Sequence, residues 1–161
     1  TKGFMAGVKG TATTGMQKYL RKSQRQTVPD SHRFVNHTDE VVRVFRKMLK
    51  NAPRNYTITG AARNPYGLKK RGATVLAHDL PAPTITTIPD DFIHYSEPRI
   101  MTPRECARLQ TFPDWFCFQG PYTTGGQSRK NQTPRYSQIG NAVPPLLAEQ
   151  LGIVLKRELH G

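Results

Sequence analysis

Met101-Thr-Pro-Arg-Glu-Cys-Ala-Arg-Leu-Gln-Thr-Phe-Pro-Asp114 carries three concurrent signals for the start of a helix. Thr102 is a capping residue, Pro103 suits the first helical position, and Glu105 completes a capping box. Ala107, Leu109 and Gln110 continue the helix to a stop at Phe112-Pro113, because the residue before a proline is pushed out of the helical region. The aromatic set Phe112, Trp115, Phe116 and Phe118 is expected to supply much of the local core. Further on comes Gln138-Ile-Gly-Asn-Ala-Val-Pro-Pro145. Here Gly140 reads as the residue of a tight turn, Asn141 tolerates unusual backbone and offers an amide, and Pro144 forces a new helix to begin. Leu146, Leu147, Gln150, Leu151, Val154 and Leu155 then form an apolar stripe running to Leu159, rich enough to dock on something large.

Upstream, the clearest element is a helix over Asp39–Asn51. Val41, Val44, Phe45, Met48 and Leu49 recur at i, i+3, i+4, i+7 and i+8, one apolar face. Thr38 caps it, and Asp39 and Glu40 sit in the first turn, where the helix dipole favours acids. Arg43, Arg46, Lys47 and Lys50 occupy the other face, read as solvated, with phosphate contact as the alternative. Residues 52–72 read as loop, punctuated by Pro53, Asn55, Gly60, Asn64, Pro65, Gly67 and Gly72. Strands are expected at Ala73–Leu76 and Thr84–Ile88. The second is bracketed by Pro81, Pro83 and Pro89, which argues for an edge or irregular pairing. Residues 119–135 read as a Gly-, Thr-, Gln- and Lys-rich loop. The first thirty or so residues also read as loop, prone to disorder without a partner, with a short helical turn at Met16–Arg21.

Charge is unevenly placed. Residues 1–71 hold 16 Lys and Arg against 3 Asp and Glu, whereas residues 72–161 hold 8 of each. A basic half joined to a neutral half is what binding along a phosphate backbone requires. The competing reading is a surface charged for solubility. No stretch is long and apolar enough to span a bilayer, and no signal peptide is recognisable. The chain opens on Thr1, which suits a cut or trimmed fragment.

Cys106 and Cys117 are the only cysteines. They are too few for a disulfide framework or a zinc site and point to a reducing compartment, and both read as buried small hydrophobes. His32 and His37, with Asp30 and Asp39, make a poor metal set and read as solvated or capping residues; no metal site is expected.

The two quoted blocks, in this order and preceded by Pro83-Thr-Ile-Thr-Thr87, closely resemble the C-terminal region of DNA (cytosine-5-)-methyltransferases. Asn36-His37 before a basic helix is similar to the start of that family's variable recognition region. The likeness is densest over 81–161, thinner over 30–80 and weakest before that. Family members flip the target cytosine out of the duplex. A Pro-Cys thiolate attacks the ring, a Glu-Asn-Val glutamate assists, and S-adenosylmethionine donates the methyl group. Here Cys106 follows Glu105 and Cys117 follows Phe116. There is no Glu-Asn-Val, no Gln-x-Arg-x-Arg and no Gly-rich strand-to-helix turn. The resemblance therefore implies the recognition end of an enzyme without its catalytic half.

The implied fold is α+β. Residues 1–135 form a small target-recognition domain of short strands and a few helices, including the block at 99–114. Residues 136–161 return to a missing α/β catalytic domain, to which the last helix belongs. Arg99, Arg104 and Glu105 organise the recognition domain. The implied DNA contacts are Arg63, Asn64, Tyr66, Lys69, Lys70 and Arg71. Arg63 and Asn64 are the base readers, and the Lys69–Arg71 trio are phosphate contacts. Thr11, Thr13, Thr14 and Arg21 form a second group. For every one of these positions an exposed hydrophilic loop is the competing reading. Asn141 and Ala142 would touch S-adenosylmethionine only when the catalytic part is present. No catalytic residue is assigned.

The implied partners are double-stranded DNA and the catalytic domain or subunit of the same methyltransferase, in a nucleoid-associated cytoplasmic setting of bacterial or phage type. Alternatives are a natural subunit of a split enzyme, a free-standing sequence-specific DNA-binding module, and a generic RNA-binding protein. A retained cofactor-closing block counts against the free-standing module. The absence of stacking motifs counts against the RNA binder.

Overall fold

The computed structural model describes residues 5–8, 10–23, 26–69, 71–123 and 131–160. Lys70 and residues 124–130 of the expected loop lie outside the described residues. Five helices and three strands are defined among those described: α1 (Gly15–Arg21), α2 (Asp39–Asn51), β1 (Thr57–Thr59), β2 (Gly72–Val75), β3 (Phe92–Ile93), α3 (Pro103–Leu109), α4 (Arg135–Gly140) and α5 (Pro145–His160). Short 3-10 helices cover Gly60–Tyr66 and Pro89–Asp91.

The strands form one sheet in the order β1-β2-β3. β1 runs antiparallel to β2, with Thr57 opposite Thr74 and Ile58 opposite Ala73. β3 runs parallel to β2, with Val75 opposite Ile93. Side chains alternate across a strand, so each face collects its own set. Ile58, Ala73, Val75 and Ile93 turn to one face and pack with Ile100 against Phe45 and Met48 of α2 and Ala52 just past its end. Phe92 belongs to a second cluster, with Leu76, Ile85, Met101, Cys106, Ala107, Phe112, Phe118, Tyr136 and Ile139. The sheet therefore stands between two small cores.

Helix α2 forms over the expected residues. Thr38 Oγ1 accepts the Val41 amide, Asp39 and Glu40 occupy the first turn, and Phe45 and Met48 are buried. Helix α3 has its capping box in both directions: Thr102 Oγ1 accepts the Glu105 amide at 3.2 Å, and Glu105 Oε2 accepts the Thr102 amide at 2.8 Å.

Several expectations are corrected. Residues 52–72 are not wholly loop, because Thr57-Ile58-Thr59 forms a strand inside the Pro- and Gly-rich punctuation. Thr84–Ile88 forms no strand; Thr86 Oγ1 donates instead to Asp91 at 2.7 Å and accepts the Ile88 amide, a local turn between Pro83 and Pro89. Trp115 and Phe116 are 57% and 38% exposed, so Phe112 and Phe118 alone of that aromatic set enter the core. Cys117 is exposed, whereas Cys106 is buried. His32 is buried rather than solvated, and its Nδ1 lies 3.0 Å from Thr102 Oγ1, behind the cap of α3.

Gly140 makes no tight turn. It closes helix α4, and a Cβ there would lie 2.5 Å from the Thr86 carbonyl oxygen. The glycine is required because two backbones touch. Tyr136 and Ile139 sit in the second core, so α4 packs with the residues before it, and Ala142 is the last residue that packs against that core. Beyond it α5 stands in solvent: Leu151, Leu155 and Leu159 are 54%, 62% and 79% exposed.

Candidate nucleic-acid interface

Arg63, Asn64 and Tyr66 share the 3-10 helix that follows β1. Gly67 ends this helix at φ 68°, a left-handed position that suits glycine, and its amide bonds back to Arg63 and Asn64. Asn64 is exposed and Arg63 half-buried, with its Nε donating to the Gly60 carbonyl at 3.1 Å. Tyr66 turns the other way and packs with Leu68 on the α2 core. It therefore anchors the segment rather than standing out from it. The helix is fastened to α2 at two points, by Lys47 Nζ on the Pro65 carbonyl and by Lys69 on Glu40 at 3.5 Å. With both ends of that second pair well exposed, it is a weak tether, worth under about 1 kcal/mol.

Arg71 is exposed and lines a different feature, a cleft of about 430 Å³ on the other face of the sheet. The cleft is walled by Thr57, Thr59, Thr74, Thr84 and Thr86. Arg21 belongs elsewhere again: it donates to the Gly10 carbonyl and closes the loop before α1. Burial and the neighbouring Arg108 lower its pKa, against Asp114. Thr14 caps α1, and Thr13 hydrogen-bonds Gln17. These second-group residues therefore hold their own loop, and the structure does not gather them with Arg63 and Asn64.

A polar framework surrounds α3. Arg99 makes a two-pronged pair with Glu105, both contacts 2.8 Å, and a further bond to Glu97 at 2.6 Å. Burial alone would raise the Glu105 pKa, but the bonds and charge of Arg99 and the Thr102 amide take it below the ordinary carboxylate range. His94 is buried against the same carboxylate, 4.0 Å away, and its Nδ1 accepts the Glu97 amide at 3.1 Å. Arg104 is fully buried and donates to the carbonyls of Asp30, Pro113 and Phe116. Arg108 pairs with the buried Asp114 through two contacts of 2.8 Å.

Asp30 is the residue that sequence reasoning missed. Its carboxylate accepts Arg135 at 2.9 Å, the Phe118 amide at 2.9 Å and the Ser31 hydroxyl at 2.6 Å, with Arg104 at 3.4 Å. Burial would raise its pKa, and these partners bring it below normal. Arg135 also sits on the Tyr122 ring, as Arg33 does. In sequence Asp30 stands only as a member of a poor metal set with His32, His37 and Asp39; long-range folding brings its actual partners together.

Asn141 is exposed at the end of α4, while Ala142 is half-buried against the second core. Beside them lies a cleft of about 540 Å³ bounded by Pro81, Ile85, Leu109, Gly140, Ala142 and Pro144. A bound cofactor is ordinarily enclosed on most sides. Asn141 leaves its amide open to the surface, and the Ala142 side chain packs on the core. Cys106 is pushed up to about 12 by burial and the neighbouring Glu105, so it stays a thiol. Among the described residues no group of His, Cys, Asp and Glu could hold a metal ion.

The sequence profile of C-5 cytosine-specific DNA methylases matches residues 8–157. The chain belongs to that family. It is 49% identical over 72 residues to the type II methyltransferase M.DdeI of Desulfomicrobium norvegicum, covering 44% of this chain and 17% of that one. It is 43% identical over 81 residues to the type II methyltransferase M.AquIB of a Picosynechococcus species, covering 49% of this chain and 58% of that one. The chain thus spans only part of these relatives. A solved structure, a candidate prophage-encoded DNA modification methyltransferase from E. coli, superposes on 91% of this chain and 37% of its own, with TM-score 0.53 and 24% identity. That likeness concerns the fold. No described helix is long and apolar enough to cross a membrane.

Proposed function

We propose that this chain is the DNA-recognition portion of a DNA (cytosine-5-)-methyltransferase. It holds double-stranded DNA so that a separate catalytic part can methylate a flipped cytosine from S-adenosylmethionine. Residues 1–135 form the recognition body, and residues 136–161, α5 among them, return to the catalytic part. The observation that carries this reading is a pairing of presence and lack. The framework of Arg99, Glu105, Arg104 and Asp30 is complete, while the buried Cys106 is held as a thiol and no Pro-Cys nucleophile occurs. Arg63 and Asn64 read bases, and Lys69, Lys70 and Arg71 touch phosphate. Asn141 reaches the cofactor only in the assembled enzyme, in the nucleoid of a bacterium or phage-infected cell.

A subunit of a split enzyme is the second form of this reading; M.AquIB, 58% of which is covered by 81 matched residues, is itself a short type II methyltransferase chain. A free-standing DNA-binding module would have no use for the block at Gln138–Pro145.

The test is transfer of radiolabelled methyl from S-adenosylmethionine to duplex DNA, by this chain alone and then with a catalytic part added. No transfer alone and transfer on addition supports the reading; transfer by the chain alone overturns it.

A further inference from the structure

The face of α2 opposite its core stripe is basic throughout its middle. Arg43, Arg46 and Lys50 are exposed, and no side-chain hydrogen bond or ion pair ties any of them to another described residue. This is unlike Lys47, which bonds the Pro65 carbonyl. The stripe continues past the helix end to Arg54, whose guanidinium is held by the carbonyls of Tyr95 at 3.1 Å and Leu49 at 3.0 Å. Arg46, Lys50 and Arg54 line one wall of an open groove of about 610 Å³, with Tyr95, Ser96 and Pro98 opposite. Glu97, the acid nearest on that wall, is already neutralised by Arg99 at 2.6 Å. Asp39, one turn before Arg43, is the other acid near this face, and Glu40 is turned to Lys69.

On the α2 surface the flank bearing Lys47 and Glu40 faces the 3-10 helix, while the flank bearing Leu49 meets Arg54 and the loop after β3. The basic stripe runs between them. From Arg43 to Lys50 it extends roughly 10 Å along the helix, about the rise of three phosphates on one strand.

We propose that this stripe, Arg43, Arg46 and Lys50 with Arg54, is a second DNA contact, which grips the phosphate backbone of the duplex whose bases meet Arg63 and Asn64. The inference rests on the DNA-recognition reading above and adds a surface to it. Such contacts set affinity and orientation without reading sequence.

The experiment uses the full chain and fluorescence anisotropy with a labelled duplex over a range of salt concentrations. Arg43→Glu/Lys50→Glu is compared with Lys156→Glu/Arg157→Glu, which makes the same charge change on exposed positions of α5. Arg43→Gln/Arg46→Gln/Lys50→Gln removes charge without reversing it, and circular dichroism checks α2 in each variant. For the stripe variants the expected result is binding weakened about tenfold or more, with the slope of log affinity against log salt reduced by about 2. The α5 variant should bind as the unaltered chain does. Unaltered affinity and slope in the stripe variants, with normal binding by the parent chain, overturn the stripe alone. An equal loss in the α5 variant also overturns it, because net charge then explains the effect. Failure of the parent chain to bind any duplex overturns the recognition reading and the stripe together.

Discussion

Arg99 and Glu105 face each other across the start of α3, with Nη1 on Oε2 and Nη2 on Oε1, both at 2.8 Å. The same carboxylate accepts the Thr102 amide, so one side chain both caps the helix and fixes the strand-side loop to it. Removing one member of a buried pair leaves the other charge stranded and costs about 3 kcal/mol or more. Glu105→Ala should accordingly lower stability by about that amount in a urea titration. Arg99→Ala should do likewise, and the double variant should lose clearly less than the sum.

Stability should fall with acid in two stages. His32 and His94 have pKa values lowered by burial, and for both the charge of Arg99 adds to the effect. A folded pKa below the unfolded one means that the unfolded chain takes up protons first. Their contribution is therefore complete above the ordinary histidine value of 6.5 and declines as pH falls through the folded values. Asp30 and Glu105 have depressed values as well, so theirs is complete above the ordinary 3.8 and 4.5 and declines below. Thermal melting from pH 8 to pH 3 should show a first decline that His94→Gln reduces and a steeper second one. A flat profile between pH 7 and pH 5 would contradict the histidine assignment.

Gly140→Ala should destabilise although alanine favours helices. Its Cβ would come within 2.6 Å of the Thr86 carbonyl carbon and 2.8 Å of the Thr87 amide nitrogen, backbone atoms with little room to move. Overpacking of this kind costs about 1–3 kcal/mol. Denaturation midpoints would measure it, with Gly152→Ala on α5 as a control, where no atom lies within 4 Å of the added carbon.

The two cysteines should separate cleanly with a thiol reagent. Cys117 is exposed and should react within minutes at neutral pH, while Cys106, buried and pushed up to about 12, should react only on unfolding. Equal rates in the native chain would mean that α3 does not bury its cysteine as described.

Replacing the two residues proposed to read bases, Arg63→Ala/Asn64→Ala, should weaken binding to a preferred duplex by about 1–3 kcal/mol for each base no longer read, with little change on unrelated duplexes. A uniform weakening on all duplexes would recast these two as phosphate contacts.

What is legible in the sequence is local. Thr102-Pro103-Arg104-Glu105 states a cap, a first-turn proline and a box within four residues, and α3 begins there. The α2 stripe is equally self-contained. The misses concern partners distant in the chain. Thr57–Thr59 is too short for its alternation to stand out, and pairing with β2 is what makes it a strand. Gly140 reads as a turn residue because nothing nearby announces that Thr86 will pack on it. Asp30 gains its meaning from Arg104, Phe118 and Arg135. That Tyr66 packs partly on the α2 core beside Leu68 is likewise invisible in the loop sequence that holds it.

The start of α5 is tied to the end of α3. The Leu146 amide donates to Thr111 Oγ1 at 3.1 Å, and Thr111 itself holds a left-handed backbone at φ 63°. A helix of 16 residues is about 24 Å long. A lever of that length, pivoted at Thr111, turns a small change of angle into a displacement of several ångströms at its tip, roughly 4 Å for a tilt of about 10°. A substitution at Thr111 would therefore be felt at the far tip of α5.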